Sequence, residues 1–311
     1  MKIDYLAHLD PRAHHGGGEQ VLSQLLELGQ RRGHQIKISS ASPFQEERHK
    51  EADLCFLADL FNCPTSLKHL PPQWITRAIK QPFVHFDNAY VDCCNLDYLP
   101  CNGQTQDPCP HKSPLKLKRN LKSGDWGRGC FAKNPLVQQV YRESKLNCFV
   151  SPLHQKQVTH ILQIDTPCFV LRPLIDWERF TNQGLKRDIP YLFVGALGEA
   201  KGLETLRKEY ENEDLHLIGA TVGKEPPAFG TWHGKVPYEE IPRLMNRAQT
   251  FVFKPRWPEP QGRVVVEAAL CGCKLETNTQ VGATSFGFDL ADPNNLKGAA
   301  EEFWETLEGL L

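Results

Sequence analysis

Residues 258–273, PEPQGRVVVEAALCGC, set two glutamates, Glu259 and Glu267, on either side of a Gly-Arg pair and a valine run. Helical spacing accounts for much of this stretch. Pro260 suits a first helical turn, Val264, Val265 and Ala268 form an apolar stripe, and Glu267 follows Arg263 by four residues as an ordinary ion pair on the opposite face. Packing alone does not explain why so apolar a helix carries one acid at its threshold and another in its middle.

The neighbouring segments place this helix in a larger pattern. TFVFKP before it and CKLETN after it read as strands, and upstream lie IPYLFVG, a helix from Lys201, LHLIG and the helical YEEIPRLMNRAQ. Strands alternating with helices predict a parallel sheet covered by helices. The N-terminal half repeats the arrangement. KIDYLAHL, QIKIS, DLCFLA, QPFVHF, LNCFVS and PCFVLRPLI read as strands, with EQVLSQLLELGQRRG, NPLVQQVYRESK and PLHQKQVTHIL as helices. The polar DWERFTNQGLKRD reads as the linker. The expected organisation is α/β, with one Rossmann-like domain over residues 1–178 and a second over residues 188–295. A last helix over 296–311 is free to pack on either.

Composition agrees with such a chain. At 311 residues, 40% apolar and 23% charged, it is long enough for two domains with their own cores. It contains no run of eighteen apolar residues, and MKIDYLAHLD is too short and too charged for a signal peptide, so a cytoplasmic protein, at most peripheral to a membrane, is expected. Eleven cysteines are an odd count, and Cys55, Cys148, Cys168 and Cys271 sit in apolar runs where a free thiol behaves as a small core residue; a secreted disulfide framework is not expected. The formal charge is −1, yet residues 112–145 hold nine basic residues against the acids Asp125 and Glu143. That stretch is about +7 and the remainder about −8.

In open parallel sheets, ligands bind beyond the carboxyl ends of the strands, where glycine loops and helix N-termini present amides to anions. Three loops qualify: HHGGGEQ with Gly17 and Gly18, VGALGEAKG, and PRWPEPQGR. Together they point to a phosphate-bearing ligand held between the domains.

With these residues in view, the chain resembles the retaining glycosyltransferases of family 4. The resemblance rests on GGGE, LRPLIDWERF, FVGALGEAKGLETL, LIG, HGKVPYEEIPRLMNRAQTFVFKP and EPQGRVVVEAALCGC, the last with that family's E-x7-E spacing. It implies the GT-B fold, two facing Rossmann-like domains with parallel sheets and a cleft between them, and transfer of a sugar from a nucleotide diphosphate donor to an acceptor hydroxyl. It also implies that Glu259 meets the donor sugar's hydroxyls and Glu267 the nucleotide ribose. A carboxylate suits both tasks, because it accepts two hydroxyl donors at once. Gly262 would bring amides to the diphosphate, Lys201 would bind phosphate, and His85 matches a histidine near the reacting sugar. His14 and His15, beside the glycines, are further candidates.

One position departs from the family pattern. Where an arginine usually partners the lysine stands Ala196, and Arg263, Arg256 and Lys254 are the available substitutes. No Asp-x-Asp stands where a metal–diphosphate site would need it, which fits the family's metal-independent chemistry.

A cysteine-rich insertion over about residues 93–130 holds Cys93, Cys94, Cys101, Cys109, His111 and Cys130. A loop this long needs a staple, and Cys94, Cys101, Cys109 and Cys130 are the thiolates suited to a structural zinc, although no CxxC is present and reduced thiols remain open. The basic run around Lys116, Lys118, Arg119 and Lys122 marks the acceptor side. It points to an anionic acceptor, a glycan or lipid-linked intermediate or a nucleic acid with a hydroxylated base. Two other readings stay open: a nucleic-acid-binding module that uses the basic segment, and a GT-B nucleotide-sugar epimerase.

Overall fold

The structure, a computed structural model, describes residues 1–13, 16–61, 70–94, 131–221 and 225–310. The chain divides into two units, Met1–Arg172 with Gly298–Leu311, and Pro173–Lys297.

The first unit is built on seven strands in the order β3-β2-β1-β4-β5-β6-β7. These are β1 (Lys2–Leu9), β2 (Gln35–Ser42), β3 (Phe44–Gln45), β4 (Leu54–Ala58), β5 (Phe83–Asp87), β6 (Asn147–Phe149) and β7 (Cys168–Val170). Every pairing is parallel except that of the short edge strand β3 with β2. Strands β4 and β5 are buried along their whole length, as a parallel strand covered on both faces must be, and this accounts for the unbroken apolar run LCFLA. Helix α1 (Gly17–Arg31) buries Val21, Leu22, Leu25 and Leu26. The helix Pro72–Ala78, absent from the sequence reading, opens with proline in its first turn and buries Trp74 and Ile75.

The closing helix, Ala299–Glu308, belongs to this first unit. Trp304 is fully buried and donates its indole N–H to the carbonyl of Leu25 at 2.8 Å. Gly29 leaves room for the ring, since a Cβ there would lie 2.2 Å from it. Phe303 packs against Phe56, Phe86 and Phe169, and Arg32 makes a two-pronged contact with Glu308.

The second unit carries five parallel strands in the order β10-β9-β8-β11-β12. They are β8 (Ile189–Val194), β9 (Leu215–Ile218), β10 (Thr231–Trp232), β11 (Ala248–Phe253) and β12 (Lys274–Thr277). Strand order reverses between β8 and β11, the kind of switch point where doubly wound sheets bind ligands. Its core gathers Leu192, Phe193, Leu217, Met245, Phe251, Val265 and Val266. Strand β10, with two exposed residues, carries no apolar alternation and was not read from the sequence.

The stretch of residues 258–273 folds differently from its simple helical reading. The helix is Arg263–Leu270, so Pro260 lies outside it. Gly262 caps it at φ 76°, ψ 53°, a left-handed conformation that places the chain turn two residues after Pro260. Val265, Val266 and Ala268 are buried whereas Val264 is only partly so, and Glu267 is itself 2% exposed. Glu267 therefore does not lie on a solvent-facing side.

Candidate active site

In the second unit, two backbone contacts bring Lys201 to the end of β11. The amide of Arg256 donates to the carbonyl of Ala200 at 3.0 Å. Gly202, at φ 86°, sits so close to that strand end that a Cβ would lie 2.0 Å from the carbonyl oxygen of Lys254. The 3-10 turn Glu199–Lys201 is thereby pressed against the loop that carries Glu259.

That loop is held by its own bridge. Glu259 donates its amide to Gln280 at 2.7 Å and accepts from the amide of Gly282 at 2.9 Å. Its carboxylate is mostly buried. The oxygen Oε2 accepts from Lys201 Nζ at 2.5 Å and from the indole N–H of Trp257 at 2.6 Å. The Lys201 ammonium also lies 5.0 Å from the centre of the Trp257 ring and 5.8 Å from that of Phe253. Lysine, indole and carboxylate form one closed cluster, with Oε1 engaged by neither donor.

Glu267 lies along the helix Arg263–Leu270. Its Oε1 accepts from the Tyr238 hydroxyl at 2.9 Å, and its Oε2 is buried without a hydrogen-bond partner among the described residues. Burial pushes its pKa up, against the charge of Arg263 and the Tyr238 hydrogen bond. Burial and the nearby Glu267 charge in turn raise that of Tyr238, against the opposing charge of Arg263. A carboxylate oxygen left bare in the interior is costly, and such a group in a native fold asks for a donor.

The three candidates to replace an arginine at Ala196 differ in their surroundings. Ala196 is exposed. Arg256 pairs with Glu199 at 2.9 Å, and Lys254 pairs with Glu209 over the ring of Tyr210. Arg263 begins the helix capped by Gly262, and its charge acts on the phenol of Tyr238.

In the first unit, His85 is the middle residue of β5, inside the run QPFVHF expected to be a strand. It is fully buried, its Nε2 lies 2.8 Å from Asp92 Oδ2, and Asp92 Oδ1 accepts from the amide of Phe61 at 2.8 Å. Asp87 accepts from the Tyr141 hydroxyl at 2.5 Å, and Asp59 from Asn88 at 2.7 Å. Burial, then the charges of Asp92 and Asp87, hold the Asp59 carboxyl well above the usual range. Gly17 begins α1, and Gly18 is pressed against Asn88, where a Cβ would lie 2.6 Å from the amide, beyond the carboxyl ends of β1 and β5.

The sequence reading missed Trp257, Tyr238, Asp92 and Asn88. Trp257 stands two residues before Glu259, and this spacing was the one signal available. His14, His15, Cys101, Cys109, Cys130, His111, Lys116, Lys118, Arg119 and Lys122 lie outside the described residues. Of the proposed zinc ligands only Cys94 is described. It is buried, and among the described residues no group of three His, Cys, Asp or Glu side chains is arranged to hold a metal. Among them, too, no helix is long and apolar enough to cross a membrane.

The fold class is α/β with two Rossmann-like units, and the solved structures that resemble it are GT-B glycosyltransferases. Sucrose-phosphate synthase from Thermosynechococcus elongatus is 16% identical with a TM-score of 0.57, over 100% of this chain and 94% of that one. HepE from Anabaena, in complex with UDP and glucose, is 14% identical with a TM-score of 0.55, over 99% of this chain and 100% of that one. An α-glucosyltransferase in complex with UDP and a 13-mer DNA containing an HMU base is 11% identical with a TM-score of 0.50, over 100% of this chain and 92% of that one. No family model matches the chain, and no curated protein is similar enough to match.

Proposed function

We propose that this chain is a retaining glycosyltransferase, of the family 4 kind, that moves a sugar from a nucleotide diphosphate donor to an acceptor hydroxyl. The observation that carries the reading is the convergence, within one unit, of Lys201 and Glu259 at 2.5 Å, with Glu267, whose Oε2 has no partner among the described residues, on the helix that follows Glu259. In this reading Glu259 receives hydroxyls of the donor sugar, Glu267 receives the ribose, and the amides after Gly262 together with Lys201 and Arg263 face the diphosphate.

In the reaction the bond between the anomeric carbon and the phosphate oxygen breaks. A bond from the acceptor oxygen forms on the same face, and the acceptor's proton passes to the departing phosphate. Neutralising that diphosphate is the main electrostatic task, which suits a lysine already placed at the strand end. The reading gives the chemistry no metal, because the sequence offers no Asp-x-Asp for one.

The acceptor is proposed to be anionic, on the strength of the basic run at residues 112–145. Glycans, lipid-linked intermediates and DNA with a hydroxylated base all meet that description, and the fold likeness to an α-glucosyltransferase bound to DNA keeps the last among them. The proposed setting is the cytoplasm.

The test is thermal denaturation against a panel of nucleotide diphosphate sugars. A donor at 100 times its dissociation constant adds about 2.7 kcal/mol, enough to raise the midpoint by several degrees. A panel without any such shift, at millimolar ligand, refutes the reading.

A further inference from the structure

We infer that Trp257 is a positioning residue that lets Lys201 leave Glu259 for a ligand's diphosphate without stranding the carboxylate. The inference rests on the function proposed above and adds to it a residue that acts through two others. Three observations meet in it. Glu259 Oε2 carries two donors, Lys201 Nζ at 2.5 Å and Trp257 Nε1 at 2.6 Å. The indole is buried, so its N–H cannot simply turn to water. The ammonium also lies 5.0 Å from the centre of the same indole ring, within reach of cation–π attraction.

These contacts define a problem and its solution. With Lys201 engaged by Glu259, its charge is largely cancelled for any phosphate. Moving the ammonium away would leave a mostly buried carboxylate oxygen bare, and an unpaired buried charge is strongly unfavourable. The indole N–H keeps Oε2 bonded after the lysine has gone. Oε1 stays available throughout for hydroxyl donors. A phenylalanine at 257 keeps the ring and its cation attraction but has no N–H, so the lysine would remain on Glu259 and the diphosphate would meet a weaker site.

The experiment compares wild type and Trp257→Phe by titration calorimetry, using UDP, GDP, ADP and CDP and then the nucleoside matching the tightest of the four. The expected result is a loss of about tenfold in diphosphate affinity, the usual worth of one hydrogen bond to a charged group, with nucleoside affinity changed by less than about twofold. In a Glu259→Gln background, Trp257→Phe should then have little further effect on the diphosphate. Equal losses for nucleoside and diphosphate would show that the indole merely packs, and overturn the inference while leaving the functional reading intact. A wild-type protein that binds none of the four diphosphates refutes the functional reading, and the diphosphate half of the inference with it. Should Trp257→Phe not fold, the indole ¹H–¹⁵N spectrum of Glu259→Gln decides. One of the six tryptophan resonances moves if the N–H is on Glu259, and six unmoved resonances overturn the inference.

Discussion

The position of Lys201 depends on Gly202, and that dependence can be measured. In Gly202→Ala the new Cβ would stand 2.0 Å from the Lys254 carbonyl oxygen, at φ 86°. Two penalties follow. An L-residue in the left-handed region costs roughly 1–2 kcal/mol, and forcing backbone apart in a packed site costs typically 1–3 kcal/mol more. Gly287 supplies the control within the same unit, because it has φ 74° and nothing within 4 Å of its Cβ position. Gly287→Ala should therefore show the first penalty alone. Urea unfolding of the two variants should differ by about 2 kcal/mol, with Gly202→Ala the weaker. Relieving the contact needs a shift on the order of 1 Å in the turn that holds Lys201, and displacement of that size is enough to cost about 10²-fold in rate. Gly202→Ala should accordingly lose most of its turnover while Gly287→Ala keeps it. Equal stabilities for the two variants would refute the claim that the turn is pressed onto the end of β11, and with it the account of how Lys201 is placed.

Three further outcomes are expected. Lys201→Ala should lower the transfer rate roughly 10²-fold or more with nucleotide sugar saturating, the scale set by removing one donor to developing charge, and a rate within threefold of wild type would exclude the lysine from the phosphate site. Glu267 has its folded pKa raised by burial, so its favourable contribution to stability is present below the unfolded value and is lost as pH rises through the folded one. Glu267→Gln should therefore gain on the parent between pH 4 and pH 7, by about 1.4 kcal/mol for each unit of elevation, while losing nucleotide affinity; a gap in urea midpoint that does not change with pH contradicts this. Trp304→Ala should cost about 3–5 kcal/mol in the first unit, and a near-neutral result by urea unfolding would mean that the closing helix contributes little to that core.

The alternation of strands and helices was legible because parallel strands buried on both faces read as apolar runs, as LCFLA does at β4. The edge strands β3 and β10 were not, since two-residue strands leave no periodic signal. In the candidate site, the spacing of Glu259 and Glu267 stood out in the chain, and the structure sets both where a glycine-capped helix begins and continues. Their aromatic partners did not stand out. A tryptophan or tyrosine in an apolar stretch looks the same in sequence whether its N–H or O–H meets a carboxylate, and Tyr238 lies 29 residues from Glu267. The sequence reading started the helix at Pro260 because proline favours first turns, but the left-handed Gly262 postpones it. The buried partner of His85 was hidden for a related reason: Asp92 lies beyond the strand, seven residues on, where no periodic spacing links the two.

The return of the closing helix to the first unit has a consequence for how the chain is made. The segment from Pro173 to Lys297, about 125 residues, separates the body of the first unit from the helix that supplies Phe303 and Trp304. At about 5–20 residues per second, a ribosome needs on the order of 6–25 s to cross that distance. During the interval the first unit stands with the groove beside Leu25 and Gly29 unfilled and with Phe56 and Phe86 uncovered on one side. The second unit has every strand of its sheet in hand before the first has its last helix. Nascent chains are thus exposed to aggregation on the side that was synthesised first, and a ribosome stalled between Lys297 and Phe303 would release a protein with one finished half and one open one.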